Sequence, residues 1–352
     1  MNALGQIIAA RIGAHGPISL ADYMQTCLLH PHHGYYATRN PFGRGGDFIT
    51  APEIHQIFGE IAGLALAQAW LDQGSSAPFT LAEPGPGRGT LMADMLRAMT
   101  RVSGMREAAQ IALIEASPHL RDMQRDRLGP VTHLDRLDDL PDRPLFLIAN
   151  EFFDALPVHQ YLRTTDGWAE RMVGFDGEKL TFGLAPPMPL PREEAEGTVI
   201  ETRPSAVTAM SAIARRIAEH GGAVIVIDYG DWNGTGDTFQ ALRDHAHADP
   251  LDAPGQADLT AHVDFAPLAA AAIQAGAVAS KPVMQGSWLL SLGAGERAAR
   301  LAQAGDAGAG AALRRLTHAG EMGQLFKALA VWPRGAPPVP GFEALDADAD
   351  DA

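Results

Sequence analysis

The sequence predicts an α/β protein with a mostly parallel sheet covered by helices, a helical segment in front of it and a β-rich stretch inserted within it. Three observations lead there. Between residues 79 and 149 short apolar runs alternate with helical stretches, the rhythm of strand and crossover-helix units. The first run, Phe79–Glu83, opens directly onto Pro84-Gly85-Pro86-Gly87-Arg88-Gly89-Thr90, a glycine loop between a strand and a helix. Later, Ala223–Ile227 is apolar, continuous and β-branched, as suits a strand buried on both faces.

The rest of the chain fits that frame in order. Asn2 and Ser19 have the character of helix N-caps, so the first thirty residues read as two short helices split at Gly16-Pro17. His30 to Thr50 is rich in Gly, Pro, His and aromatics without period and reads as a long loop, ordered or not, and a candidate lid. Pro52 opens a helix whose Ile54, Ile57, Phe58, Ile61, Leu64 and Trp70 form one buried stripe ending before Gly74. After Phe79–Glu83 come a helix from Thr90, a strand at Ile111–Glu115, a helix from Ser117, and strands at Val131–His133 and Leu145–Ala149. Val158–Leu162, Trp168–Phe175 and Leu180–Phe182 read as antiparallel strands that interrupt the main sheet. A helix from Ser205 to His220, the strand at Ala223, small late helices and a closing strand at Leu325–Trp332 follow. Pro333–Pro340 reads as a spacer and Asp346–Ala352 as a tail too polar to pack. The segments are then 1–78, a helical cap with its lid loop; 79–157, the first half of the core; 158–204, the β-rich insertion; 205–335, the second half; and 336–352, a flexible acidic tail.

Composition narrows the function classes. The chain has 352 residues, 46% of them hydrophobic and 20% charged, ordinary globular usage for two domains or one large domain with additions. Its net charge of −15 opposes a phosphate backbone, and no basic patch offsets it, so nucleic acid is not an expected partner. The single cysteine, Cys27, rules out an internal disulfide and any multi-cysteine metal centre. His30, His32 and His33 lack the spacing of a structural metal site, so no metal is expected. No run approaches the roughly 18 apolar residues of a membrane span, and Met1–Leu20 does not read as a signal peptide. A cytoplasmic protein is the expectation. A homodimer stays open, since no surface stripe is distinctive enough to mark an interface.

Three motifs carry chemistry. Gly85, Gly87 and Gly89 let backbone approach a ligand, and the helix that follows offers unpaired N–H groups. A dinucleotide fingerprint needs its third glycine at position 90, where Thr90 stands. The spacing, with Glu83 two residues before the first glycine, favours a smaller adenosyl ligand whose ammonium Glu83 attracts directly or through water. Glu115 ends the next strand, where an acid accepts hydrogen bonds from ribose hydroxyls, or simply caps the helix from Ser117. Asn150-Glu151-Phe152-Phe153-Asp154-Ala155-Leu156-Pro157 follows a third strand and would line the same crevice. On a helical turn Glu151 and Asp154 face one side, and two carboxylates suit the planar fork of a guanidinium, against which Phe152 or Phe153 can stack. The plain alternative is a pair of acids favourable at a helix N-terminus.

With these motifs in view the chain resembles a known family. Gly16-Pro17-Ile18, Gly34-Tyr35-Tyr36, Gly46-Asp47-Phe48-Ile49-Thr50-Ala51-Pro52-Glu53 and Phe58-Gly59-Glu60 are similar to the N-terminal signature of the MidA family of S-adenosylmethionine-dependent methyltransferases. Glu83 to Leu91, Asn150 to Pro157, Ile227-Asp228-Tyr229-Gly230, Asp258-Leu259-Thr260-Ala261 and Met322-Gly323 continue it in family order. The resemblance implies a Rossmann-like class I methyltransferase fold, a seven-stranded sheet with a reversed last strand, an N-terminal helical cap and a mid-chain insertion. It implies S-adenosyl-L-methionine as cofactor and symmetric dimethylation of an arginine on a core subunit of respiratory complex I during its assembly. Carried onto this sequence, it gives Gly85, Gly87 and Gly89 as the methionine-side loop beside Glu83 and Asn150, and Glu115 as the ribose acid. Glu151 and Asp154 become acceptor-site acids, and Asp47, Thr50 and Glu53 residues of a cap over the cofactor. Where the family commonly has Leu before the first glycine, this chain has Pro84. The competing readings are another nucleotide-dependent enzyme and a non-catalytic assembly chaperone on the same fold.

Overall fold

The computed structural model describes residues 1–38 and 50–345. Asp47 and the acidic tail from Asp346 lie outside the described residues. The chain forms two compact units, one made of Met1–Phe48, Asp154–Ala206 and Asn233–Asp264, the other of Ile49–Phe153, Val207–Trp232 and Phe265–Ala352.

The second unit holds the main sheet. Seven of that sheet's nine strands among the described residues form one path: β1 (Phe79–Pro84), β2 (Ala109–Ile114), β3 (Thr132–Leu134), β4 (Leu145–Asn150), β5 (Gly222–Asp231), β6 (Ala277–Ala279) and β7 (Phe326–Pro333). They lie side by side in the order β3-β2-β1-β4-β5-β7-β6. The first five run parallel, and β7 is antiparallel to both β5 and β6. This is compatible with the expected seven strands and reversed last strand. Every residue of β1 and β4 is buried, which is why both are mostly apolar without an alternating polar face. In a parallel sheet all strand ends of one kind fall on one edge, so the segments after β1, β2 and β4 leave from the carboxyl edge.

Helices α1 (Gln56–Asp72) and α2 (Thr90–Met99) pack together. Gly59 and Gly63 lie one turn apart on α1, and an added Cβ there would stand 2.6 Å from Asp94 Cβ and 2.8 Å from Met95 Cα. The two glycines therefore set how close α2, and with it the glycine loop at its head, lies to α1. Glu60 on the same helix is buried and accepts from Arg97 at 3.3 Å and from Arg297 at 2.6 Å, pinning α1 to α2 and to the late helix Ala294–Gln303.

The periodicity from Pro52 predicts one helix, and the structure breaks it. Ala51–Ile54 is a separate short helix, and His55, extended at φ −167°, restarts the chain as the N-cap of α1. His55 Nδ1 accepts from the Ile57 N–H at 3.3 Å while Nε2 meets Asp306 at 2.9 Å, so a side chain replaces the backbone bond that a continuous helix would make. Leu64, expected in the buried stripe, is 42% exposed. At the other end Val339 and Phe342, within and just beyond the stretch expected to be a spacer, are buried in the core of this unit.

In the first unit Asn2 Oδ1 accepts from the Gly5 N–H at 2.9 Å and Ser19 Oγ from the Asp22 N–H at 3.0 Å, capping Ala3–His15 and Leu20–Leu29 as expected. The strands His159–Thr164, Gly167–Phe175 and Leu180–Leu184 form, with Val199–Thr202 and Ile18–Ser19, a five-stranded sheet of their own. Part of the expected lid loop is helical at Tyr35–Thr38, and the Tyr36 hydroxyl donates to Asp258 Oδ1 at 2.8 Å. Among the described residues no helix is long and apolar enough to cross a membrane.

The glycine face of α1 gives a direct test. Gly63→Val should lower stability by about 2–3 kcal/mol through overpacking against α2, measured by urea unfolding; a loss under about 0.5 kcal/mol would show that the helices are free to move apart.

Candidate functional site

The glycine loop takes the geometry its residues permit. Gly85, Gly87 and Gly89 have φ of 62°, 51° and 73°, the left-handed region that a Cβ disfavours. The loop is held from both sides. The Gly85 N–H donates to the Ile114 carbonyl at the end of β2 at 3.0 Å, and the Gly87 carbonyl accepts from Gln124 Nε2 at 2.7 Å. Gly89 is the N-cap of α2 and offers no side chain.

Glu83, near the end of β1 just before the loop, is buried at 4% exposure. Burial pushes its carboxyl up to about 8, against the N–H of Met92 on α2, which donates to it, and with help from the negative field of Glu115. Its Oε2 accepts no hydrogen bond among the described residues, and neither does the buried Asn150 Oδ1 at the end of β4. Glu115, directly after β2, is also buried; burial raises its pKa while Ser117 and Gln124 oppose the rise. Oε1 accepts from the Ser117 N–H at 2.8 Å and Oε2 from Gln124 Nε2 at 3.2 Å. Gln124 thus joins the glycine loop to Glu115, and its Oε1 is held in turn by His133 Nε2 at 2.8 Å.

Glu151 follows β4 with φ 50°, a conformation that costs a non-glycine residue about 1–3 kcal/mol and gathers at functional sites. Its N–H donates to the Ile227 carbonyl at 2.9 Å, and its Oε1 accepts from the Ala51 N–H at 3.2 Å and from Asn150 Nδ2 at 3.1 Å. Thr50, the buried N-cap of Ala51–Ile54, makes no side-chain cap bond. Glu53, in that same short helix, binds Arg88 of the loop and accepts from Thr90 Oγ1 at 2.6 Å. Residues 50–54 are therefore bonded both to the glycine loop and to Glu151.

The expected helical turn carrying Glu151 and Asp154 is not formed; residues 151–156 are bends and turns. The reason is competition for backbone groups. The Phe153 N–H donates to Asp228 Oδ2 at 3.1 Å, and Arg203 takes the carbonyls of Asp154 at 3.4 Å and Leu156 at 2.9 Å, so side chains occupy groups that a helix would pair internally. Asp154 is buried within the first unit, whereas Glu151 belongs to the second. Of the two aromatics, Phe153 is fully buried. Phe152 is half-buried and stands 3.4 Å from where a Cβ on Gly85 would lie. Among the described residues no cluster of three or more His, Cys, Asp or Glu side chains is placed to hold a metal ion.

Four features escaped the sequence. Arg88 and Arg127, whose guanidiniums meet Glu53 and Thr90, carry no spacing signal. The left-handed Glu151 has none either. Gln124 did leave a trace: in Pro118–Leu128 the buried positions are Leu120 and Gln124, one turn apart, and an amide on the core face of a helix needs buried partners.

A family model described as putative S-adenosyl-L-methionine-dependent methyltransferase matches residues 61–283. The chain belongs to this family. It is 34% identical to a Xenopus tropicalis protein named protein arginine methyltransferase NDUFAF7, mitochondrial, over 98% of this chain and 90% of that protein. The human protein of that name is 38% identical over 80% of this chain and 71% of its own length. The crystal structure of a COG1565 superfamily member from Burkholderia thailandensis, bound to S-adenosyl-homocysteine, superposes with a TM-score of 0.83 at 30% identity, covering 96% of this chain and 94% of that one. The expectation of a cytoplasmic protein is corrected by these names, which point to the mitochondrion. The residues present fit the cofactor of the family: a buried carboxylate oxygen and an amide oxygen without partners, and three left-handed glycines at a helix head.

Glu83 makes the stability of the ligand-free protein depend on pH. Between the ordinary carboxyl range and about 8 the unfolded chain has lost a proton that the folded chain keeps, so stability falls as pH rises through that window. Glu83→Gln removes this loss and should exceed wild type by about 2–4 kcal/mol at pH 8.5 while matching it near pH 4.5, read by urea unfolding. The same gap at both pH values would refute the assignment.

Proposed function

We propose that the protein transfers a methyl group from S-adenosyl-L-methionine to a guanidinium nitrogen of an arginine on a protein, and that this protein is a core subunit of respiratory complex I during assembly. Arginine as acceptor is supported by the names of the relatives, and complex I by the family resemblance. The observation that carries methyl transfer is Glu83, buried at the head of a left-handed glycine loop with one oxygen unpartnered, the arrangement that suits an ammonium rather than a phosphate. The reading asks for a protein partner and makes no demand on a homodimer.

In this reading Glu83 and Asn150 receive the amino-acid end of the cofactor, with the backbone of Gly85, Gly87 and Gly89 close beside it. Glu115 accepts from the ribose hydroxyls. Thr50 and Glu53 support the site from the segment before α1. The cofactor, when bound, supplies an electrophilic methyl on a sulfonium centre, so the protein's task is chiefly alignment. Glu151 Oε1, fixed by the Ala51 N–H and Asn150 Nδ2, holds the carboxylate plane still. That carboxylate receives the guanidinium N–H groups, localises the positive charge and aims one nitrogen. An arginine side chain has a pKa above about 12, so its proton would pass to the Glu151 carboxylate as the new N–C bond forms and the methyl–sulfur bond breaks, rather than leaving beforehand. Phe152 offers a face for the guanidinium plane. Asp154 enters as a second acceptor acid on the resemblance alone.

Calorimetry with S-adenosylhomocysteine, and NAD as comparison, tests the cofactor. Wild type should bind the first and not the second, and Glu115→Ala should weaken binding at least about tenfold. Failure of S-adenosylhomocysteine to bind at millimolar concentration would defeat the enzyme reading in favour of a chaperone. Glu151→Gln should lower turnover by about 100-fold or more and leave S-adenosylhomocysteine affinity within about threefold, measured with a complex I subunit preparation as acceptor. Unchanged turnover removes Glu151 from the mechanism.

A further inference from the structure

The head of α2 is met by a carboxylate, Glu53, that makes no direct contact required by the methyl-transfer reading. In dinucleotide-binding sheets that helix end seats a pyrophosphate, drawn by backbone N–H groups and the helix dipole. Here the Met92 N–H is already given to Glu83, and Thr90 Oγ1, on the first helical residue, donates to Glu53 Oε1 at 2.6 Å. Glu53 also engages Arg88 through both oxygens, Arg88 Nε lying 3.3 Å from Oε1. Arg127 donates to the same Thr90 hydroxyl. A glycine loop, a helix N-terminus and two guanidiniums are the parts of an anion-binding corner, and a carboxylate of the chain itself fills the corner. The Glu53 side chain is 10% exposed and Arg88 27%, so the pair is screened only partly by water.

We infer that Glu53 is a specificity-determining residue, an internal anion that neutralises Arg88, covers the head of α2, and makes the site reject adenosine ligands that carry phosphates. This deepens the cofactor reading and rests on it. A phosphate brought to the glycine loop meets the Glu53 carboxylate already paired with Arg88, and like charges in a partly screened place repel. The position of Thr90 belongs to the same device: a third glycine would clear space for a pyrophosphate, whereas the threonine hydroxyl holds Glu53. Replacing Glu53 by its neutral isostere leaves Arg88 and Arg127 facing the loop without that carboxylate, so the corner should begin to attract anions.

The test is calorimetric titration of the full chain with S-adenosylhomocysteine, adenosine and ADP. Wild type should bind S-adenosylhomocysteine, and adenosine at least about tenfold tighter than ADP. In Glu53→Gln the ADP-to-adenosine affinity ratio should rise at least about tenfold, and adding Arg127→Ala should return most of that rise. An unchanged ratio in Glu53→Gln overturns the inference, as does wild type that binds ADP as well as adenosine. The wild-type comparison decides alone if the variant fails to fold by circular dichroism. Wild type that binds no S-adenosylhomocysteine removes the cofactor reading and the inference with it, whereas S-adenosylhomocysteine binding with an unchanged nucleotide ratio removes only the role of Glu53.

Discussion

Glu83 stands one residue before the end of a strand buried along its whole length, so its carboxyl has to exist without bulk water. That constraint organises the surroundings. An ionised carboxylate there needs donors, and the chain supplies the Met92 N–H from the head of α2; for that N–H to be in reach, α2 must begin immediately after a turn of three left-handed glycines. The position of α2 is fixed in turn by the bare face of α1 at Gly59 and Gly63 and by the shared carboxylate of Glu60. The glycine loop is thus held by a helix–helix contact on its far side, and its precision comes from packing rather than from the loop residues themselves.

The segment at residues 50–54 adds a second layer of constraint. Three side-chain or backbone links from it reach the glycine loop and Glu151, so the two strand-end segments of the sheet unit are braced against a common piece of chain. This explains why the predicted helix from Pro52 is interrupted at His55: the short helix must follow the loops, whereas α1 must follow α2, and a single straight helix would not serve both.

The parallel strands were readable because strands buried on both faces need continuous apolar residues, and the glycine loop because only glycine tolerates its dihedrals. Glu83, Glu115 and Asn150 could be placed at one edge of the sheet because the carboxyl ends of parallel strands gather there whatever the rest of the chain does. What stayed hidden depends on side chains meeting across sequence. The Glu53–Arg88 pair spans elements with no periodic relation, and the turn at Glu151 to Leu156 is decided by Asp228 and Arg203, far away in the chain. Local pattern favoured a helix there, and tertiary hydrogen bonds overrode it. The cellular location was misread for a different reason: it was inferred from the lack of a recognisable leader, which carries little physical information.

The left-handed backbone at Glu151 has an evolutionary side. Glycine or asparagine would occupy φ 50° with less strain, by about 1 kcal/mol, so selection for folding alone would drive glutamate out of this position. If Glu151 acts as proposed, the protein gives up thermodynamic stability there to hold a chemical group, and the most thermostable variants at this position should be among the least active.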